Sequence, residues 1–358
     1  MQIQKLTLHH FRNHQQTCLL PDPHLNYLYG ENASGKSSVL EAIHLLGFGK
    51  SFTHVKLNDL IHHGSREFVV NAEVFDEERS LLMNVGFSKS KSQKSKIQIN
   101  RDSTQKLSDL VQLFPIQTLH PTSSNLILSQ SKLRRQLIDW GVFHVEHQFQ
   151  SVWRRYARVL EQRNRALKYR LTAKIIASWD QQLIPLALKL SRFRAEYVEL
   201  LRERFNTTIE YVMPENSVEL DFYRGWHPEF DLPEALLKQL PQDFKQGYSS
   251  VGAHRADLMF KMNGLSVKGV LSRGQVKLIT FAIKLAQLQL LTESTASKPI
   301  LLIDDLNSEL DEHKRSLLFS LIEQMGLQTF VTNISIDDSI FDCFPSYKLF
   351  HVKQGGLE

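Results

Sequence analysis

The segment that most constrains the fold is GENASGKS at residues 30–37, which matches the pattern GxxxxGK[ST] in full. The apolar run at residues 26–29 predicts a strand before it, and a helix is predicted after it from Gly35 to about Leu46. Glycines let the backbone N–H groups of such a loop turn inward, and the N-terminus of the following helix favours negative charge. The segment therefore predicts a phosphate-binding loop between a strand and a helix of an α/β fold.

Lys36 and Ser37 end this loop with two groups that suit a nucleoside triphosphate. The ammonium group of Lys36 is placed to reach the β- and γ-phosphates, and the hydroxyl group of Ser37 is placed to ligate Mg²⁺. The pattern indicates ATP and Mg²⁺ as cofactors.

A second candidate element is the apolar run at residues 300–303, which is followed at once by Asp304 and Asp305. Four apolar residues before two acids are typical of a buried strand that delivers carboxylates at its C-terminal end. Asp304 is predicted to hold Mg²⁺ through water, and Asp305 to orient or deprotonate the attacking water. The alternative is that paired acids after an apolar run only begin a loop.

The sequence LSRGQ at residues 271–275 precedes a predicted helix that runs to about Leu291. Ser272, Gly274 and the helix N-terminus can form a second anion site. One γ-phosphate cannot use two such sites of the same subunit, so the second site predicts a head-to-tail dimer with the nucleotide between two copies. The alternative is an ordinary helix N-cap at Ser272.

The predicted elements place an α/β lobe around a mainly helical insertion. Lobe I is expected at residues 1–118 and 295–358, with a first strand at residues 3–11 and an antiparallel meander of strands at about 68–75, 81–87 and 96–100. Lobe II is expected at residues 119–294, and its helical periodicity covers roughly residues 125–205.

Composition allows a nucleic-acid partner. The net charge is +5, and residues 151–204 hold 13 Lys and Arg against 5 Asp and Glu. This excess favours contact with a DNA backbone, with a solvated helix surface as the alternative. The DNA-binding prediction names Arg154, Arg155, Arg158, Arg163 and Arg165. No apolar run approaches about 18 residues, so a cytoplasmic protein is expected.

The order of the motifs resembles the RecF family of DNA replication and repair proteins, which are ABC-type ATPase heads without a coiled coil. The order is P-loop, Gln117, signature loop, acidic strand and the sequence SELD at residues 308–311. Further matching segments are FRN at 11–13, DWG at 139–141, QRN at 162–164 and GAHRAD at 252–257. The chain departs from the family pattern at Thr53, Thr122, residues 129–131, Ala253 and Ala256.

The resemblance implies ATP-driven dimerisation on single-stranded, gapped or junction DNA, and slow, DNA-dependent hydrolysis that releases the dimer. It also implies help to RecR and RecO in loading recombinase, with a role in SOS induction. The residues predicted to bind ATP are Arg12, Gly30, Glu31, Asn32, Ala33, Ser34, Gly35, Lys36, Ser37 and Ser38, with Ser272, Arg273, Gly274, Gln275 and Asp311 from the partner copy. The predicted Mg²⁺ residues are Ser37, Asp304 and Gln117, and the predicted catalytic residues are Lys36, Asp305 and Gln117.

Three alternatives remain open at this point. A nucleotide-binding subunit of a membrane transporter shares these motifs but usually has LSGGQ in place of LSRGQ and a histidine after the last strand, where this chain has Thr332 and Asn333. A purely structural SMC-like protein requires coiled-coil arms, and no sustained heptad run occurs. A P-loop kinase does not require the segment 272–275.

Overall fold

A computed structural model of the chain describes all residues except 54, 78–79, 101, 105–109, 112–113, 121–122, 124, 216, 296–297 and 306–311. The chain forms two compact units, of which unit 1 comprises Met1–Ser123 and Leu291–Glu358 and unit 2 comprises Ser124–Leu290. No described helix combines the length and the apolar character needed to cross a membrane.

The described elements of unit 1 before residue 123 are one α-helix, the six strands of an antiparallel sheet and two strands of a second sheet. They are β1 (Gln2–Phe11), β2 (His14–Leu19), β3 (Leu25–Tyr29), α1 (Lys36–Phe48), β4 (Glu67–Asp76), β5 (Leu81–Ser90), β6 (Lys96–Ile99), β7 (Asp102–Thr104) and β8 (Ile116–Leu119).

Unit 2 and the returning part of unit 1 follow in chain order. Their elements are α2 (Asn125–Leu128), α3 (Ser131–Val145), α4 (Phe149–Lys168), α5 (Ala173–Val212), β9 (Val218–Tyr223), α6 (Leu232–Gln246), β10 (Asp257–Met262), β11 (Leu265–Ser266), α7 (Arg273–Ser294), β12 (Ile300–Ile303), α8 (Glu312–Gln324), β13 (Thr329–Asn333), β14 (Tyr347–Lys353) and β15 (Gly356–Leu357).

Unit 1 holds two six-stranded sheets with α1 packed between them. The first sheet is antiparallel in the order β2-β1-β4-β5-β6-β7, and the second has the order β15-β14-β3-β13-β12-β8. In the second sheet β14, β3, β13, β12 and β8 run parallel. Parallel strands that are covered on both faces need apolar residues throughout, and all four residues of β12 are fully buried. The helix α1 contacts strands of both sheets.

Unit 2 consists of helices α2 to α6, most of α7 and a small antiparallel sheet in the order β11-β10-β9. Buried arginine side chains link its elements. Arg134 forms a two-bond ion pair with Asp257, at 2.8 and 2.9 Å, and Arg194 forms a similar pair with Asp139, at 2.8 and 3.0 Å. Bidentate geometry of this kind satisfies a buried guanidinium group and fixes its orientation.

The predicted strands and helices are present, and the structure adds elements that the sequence analysis did not predict, among them α6, α8, β11, β14 and β15. The strands β2 and β7 were not predicted from the sequence, because their polar residues hide the alternation expected of a half-buried strand. The helical region extends to Val212, since α5 continues through Pro185 for 40 residues. The strand β8, which begins at Ile116, was also not predicted from the sequence.

A pH effect is expected at His144, on α3. Burial lowers the pKa of His144 to about 4, and its Nε2 atom has no hydrogen-bond partner among the described residues. The unfolded chain takes up this proton near pH 6.5 and the folded chain only near pH 4, so the stabilisation present above pH 6.5 is lost as pH falls. At pH 5 the expected loss is about 2 kcal/mol.

Urea unfolding at pH 7 and at pH 5 measures this effect. The variant His144→Leu is expected to lose about 2 kcal/mol less stability than wild type over this interval. Equal losses in the two proteins would contradict the assignment.

Candidate nucleotide-binding site

The phosphate-binding loop lies between β3 and α1, as the sequence predicts. Gly30 and Gly35 have φ angles of 147° and 118°, in a region that disfavours side chains. A Cβ atom on Gly30 would lie 2.3 Å from the carbonyl oxygen of Val352, and one on Gly35 would lie 2.7 Å from Nε2 of His14. Both positions therefore require glycine for conformation and for space.

The Lys36 side chain folds back over this loop. Its Nζ atom donates to the carbonyl oxygens of Gly30 and Glu31, both at 2.7 Å. Burial lowers the pKa of Lys36, while the charges of Asp304 and Asp305 act in the opposite direction. The loop thus holds a desolvated ammonium group that gains from an additional negative charge.

The Asp304 carboxylate joins three elements. Its Oδ1 atom accepts hydrogen bonds from Ser37 Oγ at 2.8 Å and from Thr332 Oγ1 at 2.6 Å, and His120 Nε2 lies 3.4 Å from Oδ2. Mg²⁺ prefers oxygen ligands and is usually bound by one or two protein groups together with phosphates and waters. The paired hydroxyl of Ser37 and carboxylate of Asp304 fit that requirement.

Asp305 follows with a left-handed backbone conformation, at φ 51°. Its N–H group donates to Thr332 Oγ1 at 3.2 Å. The hydroxyl of Thr332 therefore contacts both acidic residues, and it was not identified from the sequence, where threonine at a strand end carries no distinctive pattern.

The position of Gln117 does not agree with its predicted role as a Mg²⁺ ligand and catalytic residue. It lies in the second position of β8 opposite Leu301, and its side chain is 7% exposed. The N–H of Asp304 bonds to the carbonyl oxygen of Leu119, so His120 and not Gln117 lies beside the acidic residues. At about 3.3 Å per strand residue, Gln117 is roughly 7 Å upstream of Leu119, where the strand ends.

Arg12 lies at the same loop in a network centred on Glu41. The guanidinium group donates to the carboxylate of Glu41 at 2.7 and 3.0 Å and to Thr53 Oγ1 at 3.2 Å. Ser51 and Thr53 also donate to Glu41. The departure from the family at Thr53 thus places a hydroxyl group next to Arg12.

A cavity of about 550 Å³ adjoins the loop and has the size of a nucleotide site. Residues from the loop, from α1, from the turn after β1 and from the segment after α1 line it. These residues are Arg12, Asn13, Ala33, Gly35, Lys36, Ser37, Ser38, Glu41, Thr53, Asp59, Ile61, His62 and His63.

The loop is braced by residues that the sequence pattern did not identify. Asn13 Nδ2 donates to the carbonyl oxygen of Ser34 at 2.9 Å, and His14 Nε2 lies 3.1 Å from that of Gly35. His14 Nδ1 lies 2.8 Å from the Thr17 hydroxyl, which reaches the carbonyl oxygen of Gly355 at 3.0 Å. Burial lowers the pKa of His14. The turn between β14 and β15 thereby supports the phosphate-binding loop.

The candidate signature loop begins α7 in unit 2. Ser272 Oγ accepts the N–H of Gln275 at 3.3 Å, while Gln275 Oε1 accepts the N–H of Ser272 at 2.9 Å. This reciprocal pair is a capping box, so the N-cap alternative is correct for local structure. Ser272 and Arg273 are exposed, and Asp311 lies outside the described residues.

Four of the five predicted DNA-contacting arginines are exposed on α4, namely Arg154, Arg155, Arg158 and Arg165. The fifth, Arg163, does not have the exposed position that a DNA contact requires. Its side chain is fully buried, with ion pairs to Asp180 at 2.6 Å and to Asp243 at 2.9 Å. A buried guanidinium group that is paired with two carboxylates inside unit 2 links elements of the fold and does not reach DNA.

The sequence profile described as RecF/RecN/SMC N terminal domain matches residues 2–355. A protein named DNA replication and repair protein RecF from Vibrio campbellii is 38% identical, with 100% of each chain covered, and its counterpart from Haemophilus ducreyi is 36% identical over the same shares. The chain belongs to the RecF family. The resemblance in the order of motifs is thereby confirmed.

Solved structures agree on the fold. That of the recombination mediator protein RecF with ATP, from the RecFOR pathway, has a TM-score of 0.87 at 24% identity, covering 100% of this chain and 97% of that chain. The Smc head from Pyrococcus furiosus has a TM-score of 0.63 at 15% identity, with shares of 100% and 95%. The predicted ABC-type head fold is confirmed, and the transporter alternative is not favoured.

Thr332→Val tests the arrangement at Asp304. The variant keeps the shape of the side chain but removes the hydroxyl group that contacts both acidic residues. A net hydrogen bond contributes about 1 kcal/mol, so the affinity for ATP in the presence of Mg²⁺ is expected to fall about fivefold. Isothermal titration calorimetry with and without Mg²⁺ measures it.

Thr332→Ser is the matched control, since it retains the hydroxyl group and should bind nearly as wild type does. An unchanged affinity of Thr332→Val, or an equal loss without Mg²⁺, would contradict a role through Asp304.

Proposed function

We propose that this chain is an ATP-dependent DNA-binding protein of recombinational repair and replication-fork maintenance. ATP drives head-to-tail dimerisation on single-stranded or gapped DNA, and slow hydrolysis releases the dimer. The observation that carries the proposal is the contact of Ser37 with Asp304 at the mouth of the phosphate-binding loop. The names of the relatives, DNA replication and repair protein RecF, support the biological role.

ATP binding follows from the loop. The backbone N–H groups of residues 30–37 and the N-terminus of α1 hold the phosphates. Lys36 exchanges the carbonyl oxygens of Gly30 and Glu31 for the β- and γ-phosphate oxygens. Because burial disfavours the free ammonium charge, the negative γ-phosphate is a better partner than these neutral carbonyls.

Ser37 and Asp304 are the residues that hold Mg²⁺, which neutralises phosphate charge when bound. Thr332 keeps the Asp304 carboxylate oriented, and His120 lies at its second oxygen. Asp305 orients or deprotonates the attacking water. Its side chain is one methylene shorter than the glutamate found here in the better-known ABC ATPases, so slow turnover is expected.

The partner copy completes the site. Its residues Ser272, Arg273, Gly274 and Gln275 contact the γ-phosphate, and Asp311 is the further residue that the sequence prediction assigns to the partner copy. The exposed start of the long helix α7 suits this role, because the first N–H groups of a helix lack partners within it. Moving a dimer from about 1:99 to 99:1 requires about 5.5 kcal/mol of differential binding, which two shared nucleotides can supply.

DNA contacts are assigned to the exposed arginines Arg154, Arg155, Arg158 and Arg165 of α4. Trp153 and Tyr169 are 44% and 74% exposed and can stack on unpaired bases, whereas Tyr156 is buried and bonds to His254. Cooperation with RecR and RecO in the cytoplasm, recombinase loading and SOS induction belong to the same proposal.

A mixing experiment tests the shared site. Lys36→Ala and Ser272→Arg are each expected to abolish ATP hydrolysis, the first from the loop side and the second from the partner side. In an equimolar mixture, half of the dimers are mixed and each has one intact site, so about a quarter of wild-type activity returns.

No recovery in the mixture would contradict the shared site. Each variant is first checked for folding by its urea midpoint, and Ser272→Arg is checked for ATP binding, which the proposal expects it to keep because the loop of the same chain is unchanged.

A further inference from the structure

A lysine-rich turn joins β5 to β6 in unit 1. Residues 88–96 have the sequence SKSKSQKSK, with four lysines and no acidic residue. Lys91, Lys94 and Lys96 are exposed. Lys89 instead supports the turn, since its Nζ donates to the carbonyl oxygens of Ser90, at 2.7 Å, and of Gln93. Residues 88–96 are called the lysine hairpin below.

The charge of the lysine hairpin is not compensated by neighbouring carboxylates. Among the described residues, Lys91, Lys94 and Lys96 form no ion pair. Arg66 lies next to the turn, where its carbonyl oxygen accepts the N–H of Lys91 at 3.1 Å, and its exposed side chain adds a further positive charge. Lysines that serve only to keep a surface soluble are often interspersed with acidic residues on the same helix or strand. In the lysine hairpin positive charge dominates. On the neighbouring strand β4, the acidic residue Glu67 lies opposite Ser90.

A polar groove of about 300 Å³ lies on the outer face of the same sheet. Gly86 creates it, because a side chain there would begin 2.6 Å from Asn71 Oδ1 and 3.7 Å from Gln98 Cβ. The groove is lined by Lys5, Thr7, Asn71, Ala72, Glu73, Asn84, Val85, Gly86 and Gln98. Three of these residues are amides, whose groups can donate to phosphate and sugar oxygens.

The lysine hairpin and the groove are continuous. Lys96 and Gln98 are two residues apart on β6 and point to the same face of the sheet, which places them about 7 Å apart. The lysines supply positive charge for a backbone of negative charges, and the groove beside them supplies uncharged amide donors together with the Lys5–Glu73 ion pair, at 3.7 Å.

We infer that the lysine hairpin and the amide groove form a DNA-backbone surface on unit 1, separate from the arginines of α4. Lys91, Lys94 and Lys96 pair with phosphates, and Asn71 and Gln98 position the strand by hydrogen bonds. Such contacts do not depend on base sequence. This inference rests on the proposed function, which supplies the binding of DNA. It adds the location of a second DNA contact, on unit 1.

The test is a salt titration of DNA affinity by fluorescence anisotropy, with ATP and Mg²⁺ present. The triple variant Lys91→Gln, Lys94→Gln and Lys96→Gln is expected to reduce the slope of log K against log salt by about 3, because each lysine accounts for about one phosphate contact. At about 150 mM salt the affinity is expected to fall at least about tenfold.

The charge-matched control is Lys298→Gln, Lys314→Gln and Lys348→Gln, which removes the same charge elsewhere on unit 1. It should keep a slope within about one of wild type. Both variants should bind ATP as wild type does.

The variant Asn71→Ala with Gln98→Ala tests the groove. It should weaken DNA binding while it preserves the slope of log K against log salt, since neither side chain carries a charge.

The outcomes separate the two proposals. If wild type with ATP binds no DNA, the proposed function fails. If wild type binds DNA, and the hairpin variant binds it with the wild-type slope or loses no more than the control, only the surface on unit 1 is contradicted.

Discussion

The carboxylate of Asp304 is the group on which the proposed site depends. It accepts hydrogen bonds from the first turn of α1 and from the end of β13, although Ser37 lies 267 residues away along the chain and Thr332 lies 28. Parallel strands bring their C-terminal ends to one edge of a sheet, so residues at the end of β13 and just after β3 and β12 meet there. The parallel order of the sheet is thus what converts distant motifs into one site.

The phosphate-binding loop is held in place from outside its own motif. Asn13 lies in the turn between β1 and β2, His14 and Thr17 lie in β2, and Gly355 lies in the turn after β14, yet all contact the loop or one another. Loop carbonyls that accept such bonds are not free to rotate. A preorganised loop loses less entropy when the phosphates bind, which favours affinity. The ends of the chain therefore contribute to the site although neither contains a nucleotide motif.

Elements with local signals could be predicted from the sequence. The strand and helix around residues 30–37, the apolar β12 and the helical region of unit 2 each have a strong period or a motif. Properties set by tertiary pairing could not be predicted. Arg163 belongs to a basic helix but is paired with Asp180 and Asp243 from later elements, and Gln117 is offset from the site by the register of β8 with β12. The groove beside the lysine hairpin depends on the pairing of Gly86 with Gln98 from the neighbouring strand, which the local sequence does not reveal.

Sedimentation velocity of the Asp305→Asn variant tests the central claim, that ATP at the Ser37 and Asp304 site joins two copies. This variant is expected to bind ATP without hydrolysing it, so the dimer persists during the run. The account predicts a dimer with ATP and Mg²⁺ and a monomer with ADP or without nucleotide. The same sedimentation coefficient under all three conditions, with ATP binding confirmed separately, would contradict it.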